Sequence, residues 1–341
     1  MDRVLVVQPN WFGETLFATP FLRLLRERHP GAFIATLGRP ACREILLQNP
    51  SVNELMEFER AARQDGPVAT WQLLRALRAK RFETAFILRR SLSRTALLAL
   101  AGIQQRIGFD NPKSGWLLTR RIALPAGPMH KALSYLPLLG AGTAETAVSF
   151  DYRVTEDERR AARVLLDASA RDGAGPLIIL HPGANWFHKR WPVERFAQLG
   201  DRLRNERGAR VVITGGPQDV ALAESVRGAM PEPAAGLAGR TSLRQLAACL
   251  EQARLVVSND TGILHLAAAL QRPLIGLYGP TSPALTGLLG ERARMAVLHH
   301  PDCCPRIPCL QPEEGPVHPG MASITVEEAY DAACTLLNRH D

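Results

Sequence analysis

The segment Leu255-Val-Val-Ser-Asn-Asp-Thr-Gly-Ile-Leu-His265 carries the pattern that decides the fold. It predicts a short buried strand followed at once by a helix that begins near Gly262. Asp260 or Thr261 can cap that helix, and the N–H groups and dipole at its start favour an anion such as a diphosphate. The alternative is an ordinary capped helix with His265 in the core, and this segment alone does not separate the two.

The same strand-and-helix rhythm recurs along the chain and predicts an α/β protein with two parallel sheets, each covered by helices. A long helix is predicted over Thr15–His29. We expect two domains, residues 1–165 and 166–341, with ligands in a cleft at the carboxyl ends of their strands. The predicted strands are Val4–Val7, Phe33–Leu37, Thr84–Leu88, Leu177–Leu180, Arg210–Thr214, Leu255–Ser258 and Leu274–Leu277.

Composition narrows the class of partner. The 341 residues are 46% hydrophobic and 22% charged, which is typical of a globular protein, and the net charge of +8 favours anionic partners. We expect no nucleic acid among them, since no zinc-finger or RNA-recognition pattern is present. No secretory leader and no apolar run long enough to cross a bilayer are recognised, so a cytoplasmic location is expected.

A second segment, His181-Pro-Gly-Ala-Asn-Trp-Phe-His-Lys-Arg-Trp-Pro192, lies between a predicted strand and a predicted helix. Gly183, Lys189 and Arg190 would lie at the carboxyl end of the strand, where cations can neutralise a leaving diphosphate. The alternative is a solvated loop with Trp191 as a packing anchor.

The third segment, Gln8-Pro-Asn-Trp-Phe-Gly-Glu14, follows the first strand. Gly13 permits a tight turn there. Glu14 would stand at the start of the first helix, where a carboxylate could take a proton from an acceptor hydroxyl. Equally, Glu14 could be a helix-start carboxylate stabilised by the helix dipole. Spacing alone slightly favours this second interpretation.

Two further strand ends carry candidate ligand-binding residues. In Thr214-Gly-Gly-Pro-Gln-Asp219, the candidates Gly216, Gln218 and Asp219 could hold a ribose or a base, or could form only a turn. After the strand at Thr84–Leu88, an arginine cluster could bind acceptor phosphate or carboxylate, or could be a solvated face. Its members are Arg89, Arg90 and Arg94.

No metal is expected from the cysteine pattern. Cys303, Cys304 and Cys309 cluster near the end of the chain, with His318 close in sequence, but they lack paired CxxC spacing. Another stretch, Lys113-Ser-Gly-Trp-Leu-Leu-Thr-Arg-Arg121, sets apolar residues between cations. It leaves peripheral contact with a membrane open, although a packed strand with basic flanks is the favoured interpretation.

Taken together, these segments resemble the ADP-heptose:lipopolysaccharide heptosyltransferase family (glycosyltransferase family 9), most closely its second-heptose branch. The resemblance covers nearly the whole chain. Its motifs are Pro9-Asn-Trp-Phe-Gly-Glu14 with Ala18-Thr-Pro-Phe-Leu-Arg23, Ser91-Leu-Ser-Arg94 with Arg106-Ile-Gly-Phe109, Lys189-Arg-Trp-Pro192, and Asn259-Asp-Thr-Gly262 with His265.

The resemblance implies a GT-B architecture, an ADP-heptose donor, an anionic lipopolysaccharide core acceptor at the inner membrane, inversion at the anomeric carbon, and no metal or other cofactor. Lys189 would contact the donor phosphates, and the helix start at Asp260, Thr261 and Gly262 would cradle them. Asn10, Gly13 and the arginine cluster would serve the acceptor. Glu14 stands where the family's base is an Asp. The alternatives are a transferase with another nucleotide-sugar donor, or a non-catalytic binder of nucleotide sugar or glycolipid.

Overall fold

The computed structural model describes residues 1–58, 66–140, 148–169, 175–304, 306–309, 315 and 317–339. The chain divides into two compact units, Met1–Arg153 and Val154–Asp341. The helix Glu156–Ser169 belongs to the second unit, where it packs on the helix Leu243–Gln252. The division therefore lies earlier than the predicted boundary at residue 165. The predicted loop over residues 171–176 lies largely outside the described residues.

The first unit contains a six-stranded, entirely parallel sheet in the order β3-β2-β1-β4-β5-β6. Buried aliphatic side chains fill both faces of its central strands, as expected for a sheet covered by helices on each side. The strands are β1 (Arg3–Val7), β2 (Phe33–Gly38), β3 (Glu54–Glu57), β4 (Thr84–Ile87), β5 (Gln105–Phe109) and β6 (Arg120–Ile122). The helices are α1 (Phe12–Phe17), α2 (Thr19–Arg28), α3 (Pro40–Leu46), α4 (Gly66–Lys80) and α5 (Leu92–Leu100).

The second unit repeats this plan with the order β12-β11-β10-β7-β8-β9, again entirely parallel. The strands are β7 (Leu177–His181), β8 (Arg210–Ile213), β9 (Ala235–Gly236), β10 (Leu255–Asn259), β11 (Leu274–Tyr278) and β12 (Met295–His299). The helices are α6 (Glu156–Ser169), α7 (Val193–Arg207), α8 (Val220–Gly228), α9 (Leu243–Gln252), α10 (Gly262–Ala269), α11 (Pro283–Thr286), α12 (Pro319–Ser323) and α13 (Val326–Asn338).

The predicted helix over Thr15–His29 is in fact two helices that meet at Ala18. Pro20 lies in the first turn of α2 and has no N–H to continue the hydrogen-bond ladder of α1. The Thr19 hydroxyl donates to the Leu16 carbonyl at 2.7 Å, so it replaces part of that ladder. The prediction of a single helix was therefore wrong because it ignored the proline.

The stretch around Trp116 is a 3-10 turn, Gly115–Leu117, so the favoured prediction of a strand there was wrong. Leu118 packs into the core of the first unit and leaves Trp116 67% exposed. Among the described residues, no helix is both long enough and apolar enough to cross a membrane.

Candidate functional site

The candidate donor residues of the second unit lie on loops that leave the carboxyl ends of β7, β8 and β10. Because these strands are parallel and β10–β7–β8 are neighbours, their following loops meet at one edge of the sheet. The structure thereby brings together segments that are distant in sequence, as the contact between Lys189 and Asp260, 71 residues apart, demonstrates.

Asp260 is the centre of this arrangement. Its carboxylate, 4% exposed, contacts the Lys189 ammonium at 2.7 Å and His265 Nε2 at 3.5 Å. The Thr281 hydroxyl donates to it at 2.7 Å. Burial raises the pKa of the Asp260 carboxyl, but the contacts with His265 and Lys189 outweigh burial and hold the pKa well below its ordinary value of 3.8. The carboxylate is therefore ionised, and it fixes the position of the Lys189 ammonium.

The helix α10 begins directly after this carboxylate. Of the two predicted capping residues, Thr261 is the cap, since its hydroxyl accepts from the N–H groups of Ile263 at 3.2 Å and Leu264 at 3.4 Å. Gly262 is the first helical residue. The positive end of the helix dipole and the Lys189 ammonium thus lie at the same place, which suits an anion.

Asn259 holds two of the loops together, a role that the sequence did not suggest. Its side-chain oxygen accepts from the Trp191 N–H at 3.1 Å, and its amide donates to the Pro182 carbonyl at 2.8 Å. The buried Trp191 ring donates to the Ile324 carbonyl at 3.0 Å. The loop that carries Lys189 is therefore fixed at both ends.

Arg190 and Asp219 connect the loops after β7 and β8. Arg190 donates to the Ala184 carbonyl at 2.9 Å and lies 3.6 Å from the Asp219 carboxylate. Asp219 accepts from the Gly216 N–H at 3.1 Å. A Cβ at Gly183 would lie 2.5 Å from Asp219 Oδ2, so this close approach requires glycine.

The neighbouring Gln218 is exposed, and its amide lies 3.4 Å from the same Asp219 oxygen. His181, at the end of β7, is buried, and its Nδ1 lies 3.1 Å from the Thr214 hydroxyl. Burial lowers the pKa of His181 from 6.5 to about 4, although the charge of Asp219 acts in the opposite direction. His181 is therefore neutral near pH 7. Its buried position at a strand end was the signal that could have identified it.

In the first unit, Glu14 lies in the first turn of α1 and pairs with the Lys131 ammonium. A quarter of the Glu14 side chain is exposed. Gly13 is a helical residue of α1 and is not among the glycines with positive φ, so the predicted tight turn at Gly13 is wrong. Lys131 was not predicted, because nothing in the sequence connects residues 14 and 131.

The arginine cluster divides by environment. Arg94 is 6% exposed and donates to the Gln8 carbonyl at 2.9 Å and to Asn10 Oδ1 at 2.8 Å. Burial, followed by the charge of Arg89, lowers the pKa of Arg94. Arg89 is half-buried and Arg90 is exposed. Arg94 therefore fixes the loop that carries Asn10, whereas Arg90 is open to solvent.

The late cysteines are closer to a metal-binding geometry than their spacing indicated. One potential ligand atom from each of Cys304, Cys309 and His318 lies within 4.8 Å of the other two. Cys303 is exposed and lies outside this group. The missing CxxC spacing therefore does not decide whether a metal binds here, because the fold brings His318 back to the two cysteines.

Residues 70–314 match glycosyltransferase family 9 (heptosyltransferase). The chain belongs to this family. A family 9 relative, lipopolysaccharide heptosyltransferase 2 of Escherichia coli (strain K12), is 31% identical over 313 residues, which cover 86% of this chain and 87% of the relative. The corresponding protein of Salmonella typhimurium is 30% identical over 313 residues, which likewise cover 86% of this chain and 87% of that protein.

The solved structure of E. coli ADP-heptose LPS heptosyltransferase II superposes with a TM-score of 0.83 at 27% identity, covering 100% of this chain and 99% of that one. The predicted family and the predicted α/β GT-B fold are thereby confirmed. The protein is a glycosyltransferase of family 9. Thr281 and His181 belong to the candidate site although no role was predicted for them from the sequence, and Asn259 was recognised there only as part of a motif. Thr281 follows β11 in a Gly-Pro turn, a strand-end signal that was available.

Proposed function

We propose that this glycosyltransferase transfers a heptose from ADP-heptose to the inner core of lipopolysaccharide, with inversion at the anomeric carbon. Support comes from the relatives named lipopolysaccharide heptosyltransferase 2 and from the structural neighbour whose name includes ADP-heptose. The observation that carries the proposal is the cation held at a capped helix start, Lys189 on Asp260 beside Thr261. Such an arrangement can stabilise the charge that develops on a leaving diphosphate.

In this proposal the second unit binds the donor. The Lys189 ammonium and the start of α10 at Gly262 stabilise the charge that grows on ADP as the glycosidic bond breaks. Asp260 and His265 are too buried for direct diphosphate contact, and a carboxylate would repel it, so they act as positioning residues. Gly183, Arg190, Gly216 and Gln218 form the neighbouring wall for the rest of the nucleotide, and the buried Asp219 carboxylate positions Arg190.

The first unit binds the acceptor. Glu14 takes the proton from an acceptor hydroxyl, the freed oxygen attacks the anomeric carbon, and ADP leaves with the electrons of the broken bond. Lys131 compensates the charge of the Glu14 carboxylate before the proton arrives. Arg89 and Arg90 attract the anionic core, while Arg94 holds Asn10 and the loop in place.

The proposed reaction takes place in the cytoplasm, at the inner face of the inner membrane where its lipid-linked acceptor would lie. The net charge of +8 and the exposed Trp116 support contact with an anionic surface. No metal takes part in the proposed transfer step.

A donor-by-acceptor screen with the purified full chain tests this proposal. We expect transfer from ADP-heptose to a lipopolysaccharide core acceptor, and little transfer from other nucleotide sugars. Glu14→Gln should lose most turnover while donor binding stays near that of the wild type, because only the base is removed. Glu27→Gln, which neutralises an exposed carboxylate of α2, is the matched control.

Two outcomes would redirect the assignment, and a third would change the mechanism. Preference for another nucleotide sugar would make the protein a family 9 transferase with a different donor. Donor binding without turnover against any acceptor would support a non-catalytic binder. Wild-type turnover in Glu14→Gln would leave Glu14 as a helix-start carboxylate and remove it from the mechanism.

A further inference from the structure

The group formed by Cys304, Cys309 and His318 lies outside the proposed transfer chemistry. Their ligand atoms lie within 4.8 Å of one another, while His318 is buried and both cysteines are half-buried thiols. In a tetrahedral zinc site, with Zn–S near 2.3 Å, ligand atoms are about 3.6–3.8 Å apart. A modest contraction of the group would therefore reach zinc-binding geometry.

The imidazole of His318 is oriented by its own helix. Nδ1 accepts from the Gly320 N–H at 3.1 Å, and this contact caps α12. Nε2 is buried and has no hydrogen-bond partner among the described residues. Burying a polar nitrogen without a partner costs about 1–3 kcal/mol. Because Nδ1 accepts the bond from Gly320, the proton of a neutral His318 ring lies on Nε2, and a metal could bind Nε2 only after that proton moves to Nδ1.

The same group is attached to the wall of the donor site. The Cys309 N–H donates to the Pro280 carbonyl at 2.7 Å, and the adjacent Thr281 donates to Asp260. On the other side, α12 packs directly on Gly279, where a Cβ would lie 2.5 Å from Met321 Cγ. Cys309 and the helix α12, which follows His318, thus both contact the turn 279–281.

We propose that Cys304, Cys309 and His318 bind one zinc ion, which links these three residues beside the turn that carries Thr281. Two thiolates and one imidazole are the ligand set that zinc prefers, and a water molecule would complete the tetrahedron. On binding, each thiol gives up its proton, and Cys304 gives up its contact with the Arg306 carbonyl. Because a neutral imidazole has one proton, zinc at Nε2 places that proton on Nδ1 and displaces the Gly320 contact.

In this proposal the zinc ion takes no part in the transfer of heptose. The existence of the zinc site does not depend on the proposed function. It would affect donor binding only through its contact with the turn that carries Thr281, which donates to Asp260. The binding measurement below therefore fails or succeeds independently of any activity assay.

The first experiment is a metal analysis of the full chain purified under reducing conditions. We expect one zinc ion per chain by elemental analysis. The chelated protein should recover one equivalent on addition of Zn²⁺, and with Co²⁺ it should show the visible absorption of a tetrahedral thiolate complex. Removal of zinc should also lower the thermal midpoint, since a ligand bound only by the folded state stabilises that state.

The variants Cys304→Ser, Cys309→Ser and His318→Gln identify the ligands. Each should lose the zinc equivalent and the thiolate–cobalt absorption. Cys334→Ser, a half-buried cysteine of α13 outside the group, should keep both. If a cysteine variant does not fold, alkylation of the wild type with and without Zn²⁺ should show that zinc protects Cys304 and Cys309 but not Cys334.

Three results would overturn the proposal. One is wild-type protein that takes up no zinc equivalent under reducing conditions. Another is zinc that remains in all three variants. The third is a Cys304–Cys309 disulfide that persists in the presence of reductant, because it would leave no thiolates for a metal.

Discussion

Lys189 owes its position to a carboxylate that has almost no access to solvent. Asp260 is 4% exposed, and three side chains converge on it. At the residue scale, the proposed chemistry therefore depends on a buried ion pair whose Lys189 end, 23% exposed, is open to a ligand. Removing one partner of such a pair leaves the other without compensation.

Replacing Lys189 by Ala should reduce turnover by roughly 30-fold to 1,000-fold, which corresponds to about 2–4 kcal/mol of lost transition-state stabilisation. It should also lower stability, because Asp260 loses an ion-pair partner. Steady-state kinetics and urea unfolding measure the two effects. Arg160→Ala, which removes an exposed cation of α6, is the control. Near-normal turnover in a folded Lys189→Ala protein would exclude the proposed role.

Replacing Glu14 by Asp restores the residue that the family resemblance places at this position. The shorter side chain should fall short of the acceptor hydroxyl and of Lys131, so we expect slower turnover with little change in donor affinity. The split between kcat and the donor KM is the measurement. An Asp variant as fast as the wild type would show that one methylene of reach does not matter here.

His181 makes stability depend on pH in a defined window. Its pKa is about 4 in the folded protein and 6.5 in an unperturbed chain, so the unfolded state takes up a proton as the pH falls from 6.5 to 4 while the folded state does not. The free energy of unfolding should therefore decrease over this window, by on the order of 3 kcal/mol from His181. The pKa of Asp260 is lowered in the folded protein, so the stabilising contribution of its ionised carboxylate is lost only as the pH falls below 3.8.

Urea unfolding at several pH values measures this dependence. In His181→Asn the decrease between pH 6.5 and 4 should be smaller than in the wild type. His29→Asn, a half-buried histidine outside the site, is the control and should keep the wild-type slope. Equal slopes in His181→Asn and the wild type would contradict the burial argument.

At the element scale, α10 shows how a short helix can supply a site. It has 8 residues, of which 7 are buried, and it directly follows a buried strand. Most of its stability comes from packing, but its first turn depends on the Thr261 hydroxyl. The cap and the proposed anion site therefore share the same few backbone groups.

Thr261→Ala removes that cap and should cost about 1 kcal/mol in the free energy of unfolding. Thr261→Ser keeps the hydroxyl and should recover most of the loss. Thr335→Ala, at an exposed position within α13, controls for removal of a threonine from a helix. The urea midpoint of each variant gives the comparison, and an unchanged midpoint in Thr261→Ala would mean that packing alone fixes the helix start.

At the scale of the whole molecule, charge and exposed aromatic rings govern contact with surfaces. The chain has a net charge of +8, and Trp116 is 67% exposed near Lys113 and Arg121. Association with an anionic bilayer would combine charge attraction with insertion of this ring.

Flotation with vesicles that contain anionic lipid tests this contact. We expect binding that weakens as salt is added, and weaker binding still in Trp116→Ala because the ring no longer inserts. Trp71→Ala, which removes another exposed ring of the same unit, should bind like the wild type. If Trp116→Ala floats as well as the wild type, the proposed membrane contact fails.

Local patterns in the sequence determined the architecture. The apolar runs and the strand-to-helix transition at residues 255–265 were sufficient for a parallel α/β fold, because burial on both sheet faces leaves a continuous apolar signal. The motifs around Lys189 and Asp260 likewise indicated the family to which the chain belongs. Errors at this level were local, such as the unbroken helix through Pro20.

Only the tertiary structure decided which side chains meet. The contacts of Lys189 with Asp260, of Thr281 with Asp260, and of Glu14 with Lys131 join residues that are far apart in the chain. Sequence periodicity reports which face a residue is on, but it does not report which distant residue lies beside it. For the same reason the grouping of His318 with two cysteines was not visible in their spacing. Residues that are distant in the sequence can be neighbours once strands and loops have packed.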